Sequence, residues 1–221
     1  MKVSKTATVA ILGWALTAAG AEPHDGAKGA RFNFDKDTPG KPPAGFTFGR
    51  TKNLGRAGKW LVEAQKDAPS GGKALGQLDN DDTNARYPLA VSQTVFPSDL
   101  KVSVKCKAVS GETDQACGVV LRYQDENNYY ITRSNVLEDN VRLYHVKDGK
   151  RTQLATWDGK VPGTVWNDLS IEAKGDTFRV YFNGQKVIET TDGTFSAGGK
   201  VGMWTKADSV TYFDDLVVTP V

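Results

Sequence analysis

The chain has 221 residues, of which 28 are basic and 26 acidic, with 39% hydrophobic residues, 10% aromatic residues and two cysteines. This length fits one domain, and the apolar content with nearly balanced charge excludes an intrinsically disordered chain. The composition also excludes a disulfide-rich miniprotein, a collagen and a coiled coil.

The first 21 residues have the pattern of a signal peptide. Lys2 and Lys5 precede an apolar stretch from Ala7 to Ala19, and small residues fill Ala19-Gly20-Ala21. The apolar stretch, ~13 residues, is shorter than the ~20 that a membrane-spanning helix needs; an N-terminal core helix or a membrane anchor is the alternative. We therefore predict a signal peptide at 1–21, a flexible segment at 22–30, a domain at 31–221, and export to the periplasm or the exterior.

Removing the signal peptide takes away two lysines and no acid, so that basic and acidic residues balance. A neutral chain lacks the basic surplus that nucleic acid or anionic lipid attracts. The expected partner is therefore neither nucleic acid nor, after processing, a membrane. A neutral ligand is the more natural expectation.

Beyond residue 22 the sequence alternates apolar and polar residues and shows no convincing helical period, which predicts β-strands. Turn signals recur through the C-terminal half, at Asp148-Gly149, Gly175-Asp176, Asn183-Gly184, Asp192-Gly193 and Gly198-Gly199. Many short antiparallel strands with glycine-rich turns predict an all-β sandwich or barrel.

The two cysteines lie on neighbouring predicted strands. Pairing 100–106 with 117–123 as a hairpin places Leu100 opposite Tyr123 and Cys106 opposite Cys117, with every inward position apolar. In an exported protein this arrangement predicts a Cys106–Cys117 disulfide. Two reduced, buried cysteines are the alternative.

Three further turns predict pairings. Around Gly175-Asp176, Ile171 pairs with Val180 and Glu172 with Arg179, while Asn183-Gly184 suits a two-residue type I′ turn. Around Asp148-Gly149, Leu143 pairs with Leu154 and Tyr144 with Gln153. A loop at 125–127 pairs Leu121 with Ile131 and Arg122 with Tyr130.

Three stretches carry a resemblance to a known family. Residues 199–218 (GKVGMWTKADSVTYFDDLVV) resemble the closing strands of concanavalin A-like jelly-roll sandwiches of the laminin-G and glucanase type, and 117–133 and 31–35 resemble strands of bacterial exported members. The resemblance implies a two-sheet antiparallel jelly-roll sandwich. Relatives include lectin-like modules, glycosidases, polysaccharide lyases and 3-keto-disaccharide hydrolase-type domains, among which a shared fold does not decide.

The expected function is carbohydrate recognition on the concave sheet face, without cleavage. The E-x-D-x-E strand motif of the glucanase branch is absent from the sequence. A glycoside hydrolase of the 3-keto-disaccharide hydrolase type and a structural envelope or adhesion module are the alternatives, so that catalysis is left open.

The candidate ligand-binding residues combine aromatic rings, which stack on sugar C–H faces, with planar hydrogen-bond donors. By strand parity five of them share one sheet face, on which they line the expected glycan site: Arg122, Tyr130, Arg142, Tyr144 and Gln153. Trp204, on the non-core side of its own strand, is expected to serve as a platform for a sugar ring. Ordinary solvated cross-strand pairs and tryptophan packing are the alternative interpretations.

A structural Ca²⁺ is the one cofactor that the sequence suggests. If the first and last strands pair, Asp35 and Asp37 approach Asp214 and Asp215, and carboxylate oxygens are the ligands that Ca²⁺ prefers. Solvated turn acids are the alternative.

Overall fold

The computed structural model describes Met1 and residues 29–221. The predicted signal peptide and most of the predicted segment 22–30 therefore lie outside the described residues. Fifteen strands and one short 3₁₀ helix, Thr51–Asn53, make up the regular structure of the described part. In chain order the strands are β1 Ala30–Phe32, β2 Phe46–Arg50, β3 Trp60–Ala64, β4 Lys73–Gln77, β5 Pro88–Phe96, β6 Leu100–Ser110, β7 Ala116–Asp125, β8 Asn128–Asn135, β9 Asn140–Lys147, β10 Lys150–Asp158, β11 Asn167–Lys174, β12 Thr177–Phe182, β13 Gln185–Thr191, β14 Gly199–Trp204 and β15 Val210–Pro220.

The strands form two antiparallel sheets, as the sequence predicts. One has seven strands in the order β10-β9-β8-β7-β14-β5-β2; the other has eight, in the order β13-β12-β11-β6-β15-β4-β3 with β1 also paired to β15. The main core lies between the sheets and includes Trp60, Val102, Leu143 and Phe213. The pairing of the first strand with the last, Ala30 opposite Val218, matches the expectation.

The predicted hairpin of 100–106 with 117–123 is wrong. Strand β6 pairs with β11 and β15 in the eight-stranded sheet, whereas β7 pairs with β8 and β14 in the seven-stranded sheet. The apolar positions of both strands face the main core from opposite sides. Two strands with alternating apolar residues can pair as a hairpin in one sheet or face each other from two sheets. The sequence pattern is the same in both cases, which explains the error.

The predicted disulfide is nevertheless present, and it joins the two sheets. Cys106 on β6 and Cys117 on β7 are bonded with their Cα atoms 6.3 Å apart, and both residues are buried. The described residues contain no free cysteine. A cross-link of this short loop stabilises the fold by ~2–3 kcal/mol in the chain-entropy model.

Other predicted pairings are confirmed where no bulge intervenes. Ile171 pairs with Val180 and Glu172 with Arg179, and Asn183 and Gly184 both adopt positive φ in the turn that follows. Tyr144 pairs with Gln153, but a bulge at Leu154 places Ala155 opposite Leu143.

A second bulge, at Arg122, alters strand β7. Arg122 has a φ of 46°, and the ladder shifts between Leu121 and Asp125. Leu121 therefore pairs with Tyr130, one residue from the predicted register. The bulge turns both Leu121 and Arg122 towards the main core, and Tyr123 returns to the opposite face.

Candidate functional site

The outward face of the seven-stranded sheet carries an unusual set of aromatic and arginine side chains. We call it the concave face. Its aromatic residues, with the aliphatic neighbours of the same strands, form a second hydrophobic cluster separate from the main core. The polar and aromatic residues of the concave face include Tyr87, Tyr129, Arg133, Arg142, Tyr144, Arg151, Gln153, Thr156, Asp158 and Trp204.

This sheet is strongly curled. Arg151 on β10 and Tyr87 beside β5 stand five strand spacings apart, about 24 Å across a flat sheet. Yet the Arg151 guanidinium lies 4.8 Å from the centroid of the Tyr87 ring. The corners that carry Arg151 and Tyr87 are diagonally opposite in the sheet. Sheet twist bends both corners towards the side of the concave face, where they approach each other.

The 3₁₀ helix after β2 holds the two corners together. The Thr51 and Tyr129 hydroxyls are hydrogen-bonded at 2.7 Å, and the Lys52 amide donates to Asn127 Oδ1 at 3.0 Å. Tyr129 is completely buried, which raises the pKa of its phenol. The half of the concave face beneath this bridge is closed, and the half towards Arg142, Gln153 and Asp158 is open. Arg151 is partly exposed and lies at the border between the two halves, two residues from Gln153 on β10.

Three guanidinium groups surround Tyr144. Arg151 stacks on the Tyr144 ring at 4.4 Å, the Arg133 guanidinium lies 5.9 Å from the same ring, and Arg133 Nη2 donates to the Tyr144 hydroxyl at 3.3 Å. Arg142 precedes Tyr144 by two residues on β9 and points to the same face. A guanidinium group that packs on an aromatic ring keeps the N–H groups at its edge available to hydrogen-bond acceptors.

One carboxylate bridges two of these arginines. Glu138 Oε2 lies 2.8 Å from Arg133 Nη2 and 3.0 Å from Arg142 Nη1. Burial alone would raise the pKa of Glu138, but the charge of Arg133, the Asn140 amide and the charge of Arg142 outweigh it and hold that pKa below its ordinary value. Glu138 is therefore ionised at neutral pH.

Arg151 differs from its two neighbours. No carboxylate lies within ion-pair distance of Arg151 anywhere in the described part of the chain, and its Nη1 is buried without a hydrogen-bond partner there. The Nε atoms of Arg133 and Arg142 are likewise buried and unpartnered. Buried donors of this kind are rare in folded proteins and call for an acceptor.

The strand pairing places Arg142, Tyr144, Gln153 and Trp204 on one face of the seven-stranded sheet. Their exposure differs. Gln153 is exposed and the Arg142 side chain is 30% exposed, whereas Tyr144 and Trp204 are 4% and 0% exposed. Polar groups, rather than bare rings, line the open half.

Trp204 is packed as a supporting residue. Its ring lies 5.1 Å from that of Tyr87 and 5.8 Å from the Arg151 guanidinium. Gly118 on the adjacent strand makes room for it, because a Cβ there would stand 2.9 Å from the indole ring. A sugar cannot stack on Trp204 while these neighbours cover it, which corrects the expected tryptophan platform.

Arg122 and Tyr130 do not belong to the concave face, contrary to the prediction. The bulge directs Arg122 to the interior, where it donates to the carbonyl oxygens of Ser98, Gly175 and Phe195. Tyr130 is also internal: burial and the Asp192 carboxylate raise its pKa to about 12. Together they anchor the loop between β13 and β14 to the sheets.

Sequence reasoning missed Arg133, Glu138 and Arg151. Arg151 shares strand parity with Gln153 in the predicted β9–β10 register, and Arg133 shares it with Tyr129 once the β7–β8 register is corrected. Glu138 lies in the turn between β8 and β9, where parity gives no direction.

The residues expected to hold Ca²⁺ are not gathered into one cluster of carboxylates in the described part of the chain. The Lys73 ammonium donates to the carbonyl oxygens of Asp35 and Asp37 at 2.8 and 2.9 Å, and thus occupies the position of a cation. Asp214 accepts hydrogen bonds from Ser70, and Asp215 pairs with Arg31 at 2.7 Å. Across residues 29–221 no group of three or more His, Cys, Asp or Glu side chains is arranged to hold a metal ion.

No helix among the described residues has the length and apolar character needed to cross a membrane.

The fold and the curled sheet define a jelly-roll β-sandwich of the concanavalin A-like class. A family model described as the 3-keto-alpha-glucoside-1,2-lyase-like domain matches residues 64–219, and the chain belongs to that family. No curated protein matches the sequence.

Solved structures with a similar fold include three carbohydrate-associated proteins. The carbohydrate-binding module CBM66 from Bacillus subtilis is 20% identical, with a TM-score of 0.59 over 78% of this chain and 93% of that one. Domain 4 of AbnA, a GH43 extracellular arabinanase from Geobacillus stearothermophilus solved with arabinotriose, is 16% identical, with a TM-score of 0.55 over 86% and 91%. The VIP36 exoplasmic/lumenal domain in its Ca²⁺/Man₃GlcNAc-bound form is 10% identical, with a TM-score of 0.57 over 80% and 84%. At these identities the likeness concerns the fold.

Proposed function

We propose that this protein is an exported carbohydrate-binding domain that holds a glycan in the open half of its concave face. The observation that carries the proposal is the group of three arginines that stacking on Tyr144 and ion pairs to Glu138 hold in place. Sugar hydroxyls are acceptors for the in-plane N–H groups of guanidinium side chains fixed in this way.

In this proposal Arg142 and Gln153 contact the glycan directly, since both reach the open half. Tyr144 and Trp204 lie beneath them and fix the arginines in place through stacking. The family and the carbohydrate-binding module of similar fold support a sugar as the ligand class.

Export is part of the proposal. It is supported by the Cys106–Cys117 disulfide, because disulfides persist mainly in oxidising compartments. The N-terminal pattern of the sequence agrees with it.

Cleavage of a glycosidic bond is the second candidate. It is favoured by the family and by two carboxyl groups whose pKa values are shifted in opposite directions. Burial raises the pKa of Asp114, whereas the pKa of Glu138 lies below its ordinary value. Such a division is typical of acid and base pairs. However, Asp114 is 1% exposed and accepts hydrogen bonds from Asn135 and Lys206, so that it is not accessible to a bound glycan. This burial favours binding over catalysis.

One experiment separates the two functions. The protein is tested against a panel of neutral and acidic oligosaccharides by calorimetry, and reducing-sugar release is measured in the same samples. Binding without release is the expected result. Release that disappears in Glu138→Gln would identify an enzyme, and the absence of any binding would overturn the proposed function.

A further inference from the structure

The three arginines of the concave face are incompletely neutralised. Glu138 contacts Arg133 and Arg142, and Asp158, the outward carboxylate of β10, is exposed and hydrogen-bonded by Thr156. Arg151 has no carboxylate within ion-pair distance in the described part of the protein. Like charges gathered around one ring repel each other, and a bound anion relieves that repulsion.

Arg151 is also preorganised for one type of anion. Its guanidinium lies 4.4 Å from the ring of Tyr144, 4.8 Å from that of Tyr87 and 5.8 Å from that of Trp204. Rings that cover the guanidinium faces leave only in-plane donors, and two parallel in-plane donors match the two oxygens of a planar carboxylate.

We propose that the glycan bound by this face is acidic, and that Arg151 forms a bidentate pair with the carboxylate of a uronic acid residue. This inference rests on the proposed function and specifies its ligand class. Arg142 and Gln153, at the open half of the face, then contact the neighbouring hydroxyls. A neutral overall charge does not oppose this ligand, because the recognition is local to the concave face.

The test compares oligosaccharides that carry a carboxylate, its neutral ester or a sulfate. Calorimetry measures the affinity of the protein for an oligogalacturonate, for its methyl ester and for a sulfated galactan oligosaccharide of equal length. Since the ester lacks the charge with which Arg151 would pair, we expect the acid to bind at least about tenfold more tightly than the ester. We also expect the acid to bind more tightly than the sulfate ester.

Variants locate the effect. Arg151→Gln is expected to abolish the preference for the acid, and Arg151→Lys, which keeps the charge but loses the planar fork, to retain only part of it. Lys101→Gln is the matched control, because Lys101 also lies over a tyrosine, Tyr181 at 4.6 Å, but on the eight-stranded sheet. It should leave the preference unchanged.

The outcomes distinguish the two proposals. Equal binding of acid and methyl ester, or an undiminished preference in a folded Arg151→Gln variant, overturns the inference and leaves glycan binding intact. Tighter binding of the sulfated oligosaccharide overturns the assignment to uronate. Binding of none of the acidic or neutral oligosaccharides overturns the proposed function as well. The ligand comparison uses the unaltered protein, so it stands even if a variant fails to fold.

Discussion

Arg122 is one of the most deeply buried charges in the described part of the chain, and its role is structural. Its guanidinium donates to three backbone carbonyls from separate segments: Ser98 at 3.1 Å, Phe195 at 2.8 Å and Gly175 at 2.6 Å. The side chain also lies 5.2 Å from the Phe178 ring of the other sheet. It therefore ties the loop after β13 to both sheets.

Replacing Arg122 with Met is expected to destabilise the protein by ~2–4 kcal/mol, because it removes three charge-assisted hydrogen bonds between a buried side chain and separate segments of the backbone. Urea denaturation followed by tryptophan fluorescence measures the loss. Arg179→Met, which removes ion pairs to Glu172 and Glu189 near the surface, should cost less than about 1 kcal/mol. An Arg122→Met variant as stable as the Arg179→Met control would refute this role.

Strand β7 illustrates how a small residue shapes the concave face. Gly118 lies between Arg133 on β8 and Trp204 on β14 in one row across the sheet. An added Cβ at Gly118 would stand 2.6 Å from Ile131 and 2.9 Å from Trp204. The missing side chain allows the indole to lie flat against the sheet, under Tyr87 and Arg151.

Gly118→Val is therefore expected to displace Trp204 and to cost ~1–3 kcal/mol through overpacking. Thermal denaturation and the near-ultraviolet circular dichroism of the tryptophans report both effects. Gly49→Val on β2 of the same sheet is the control, since a Cβ there meets nothing within 4 Å. Equal melting temperatures for the two variants would contradict the packing that we describe.

Strand parity predicted much of the sandwich from the sequence, and its failures have two causes. It predicted the β11–β12 ladder and the shared face of Arg142, Tyr144 and Gln153, because alternation is regular there. It failed at Arg122 and Leu154, where bulges reset the alternation. It also could not distinguish facing sheets from a hairpin, since Cys106 and Cys117 point inward in both arrangements.

The curl of the seven-stranded sheet was beyond sequence reasoning for a different reason. It depends on twist summed over many strands and on contacts between distant corners, such as Thr51 with Tyr129. The curl converts a predicted open aromatic face into a partly closed one. Consequently Arg151, which no motif marked, becomes central to the site.

The stability of the folded protein is expected to fall in acid. Hydrogen bonds from Thr83 hold the pKa of Asp81 far below its ordinary value, and the pKa values of Glu138, Asp192 and Asp208 are also lowered. A carboxyl group with a lowered pKa stabilises the fold above its unfolded pKa of about 4 and loses that contribution as the pH falls.

Asp114 and Asp214 act in the opposite direction, because burial raises their pKa values. The cost of burying these two charges disappears as the pH falls, but the carboxyl groups with lowered pKa values outnumber them. We therefore expect a lower melting temperature at pH 3 than at pH 7 in differential scanning calorimetry. A melting temperature at pH 3 that equals or exceeds the value at pH 7 would reverse this assessment.

The most direct test of glycan binding by the concave face uses Arg142, whose side chain is 30% exposed in the open half. The protein, Arg142→Gln and Lys101→Gln are applied to the same glycan array, with circular dichroism to verify folding. We predict that the unaltered protein and Lys101→Gln bind the same glycans and that Arg142→Gln binds them at least about tenfold more weakly. Undiminished binding by folded Arg142→Gln, or no binding by the unaltered protein, would contradict the account.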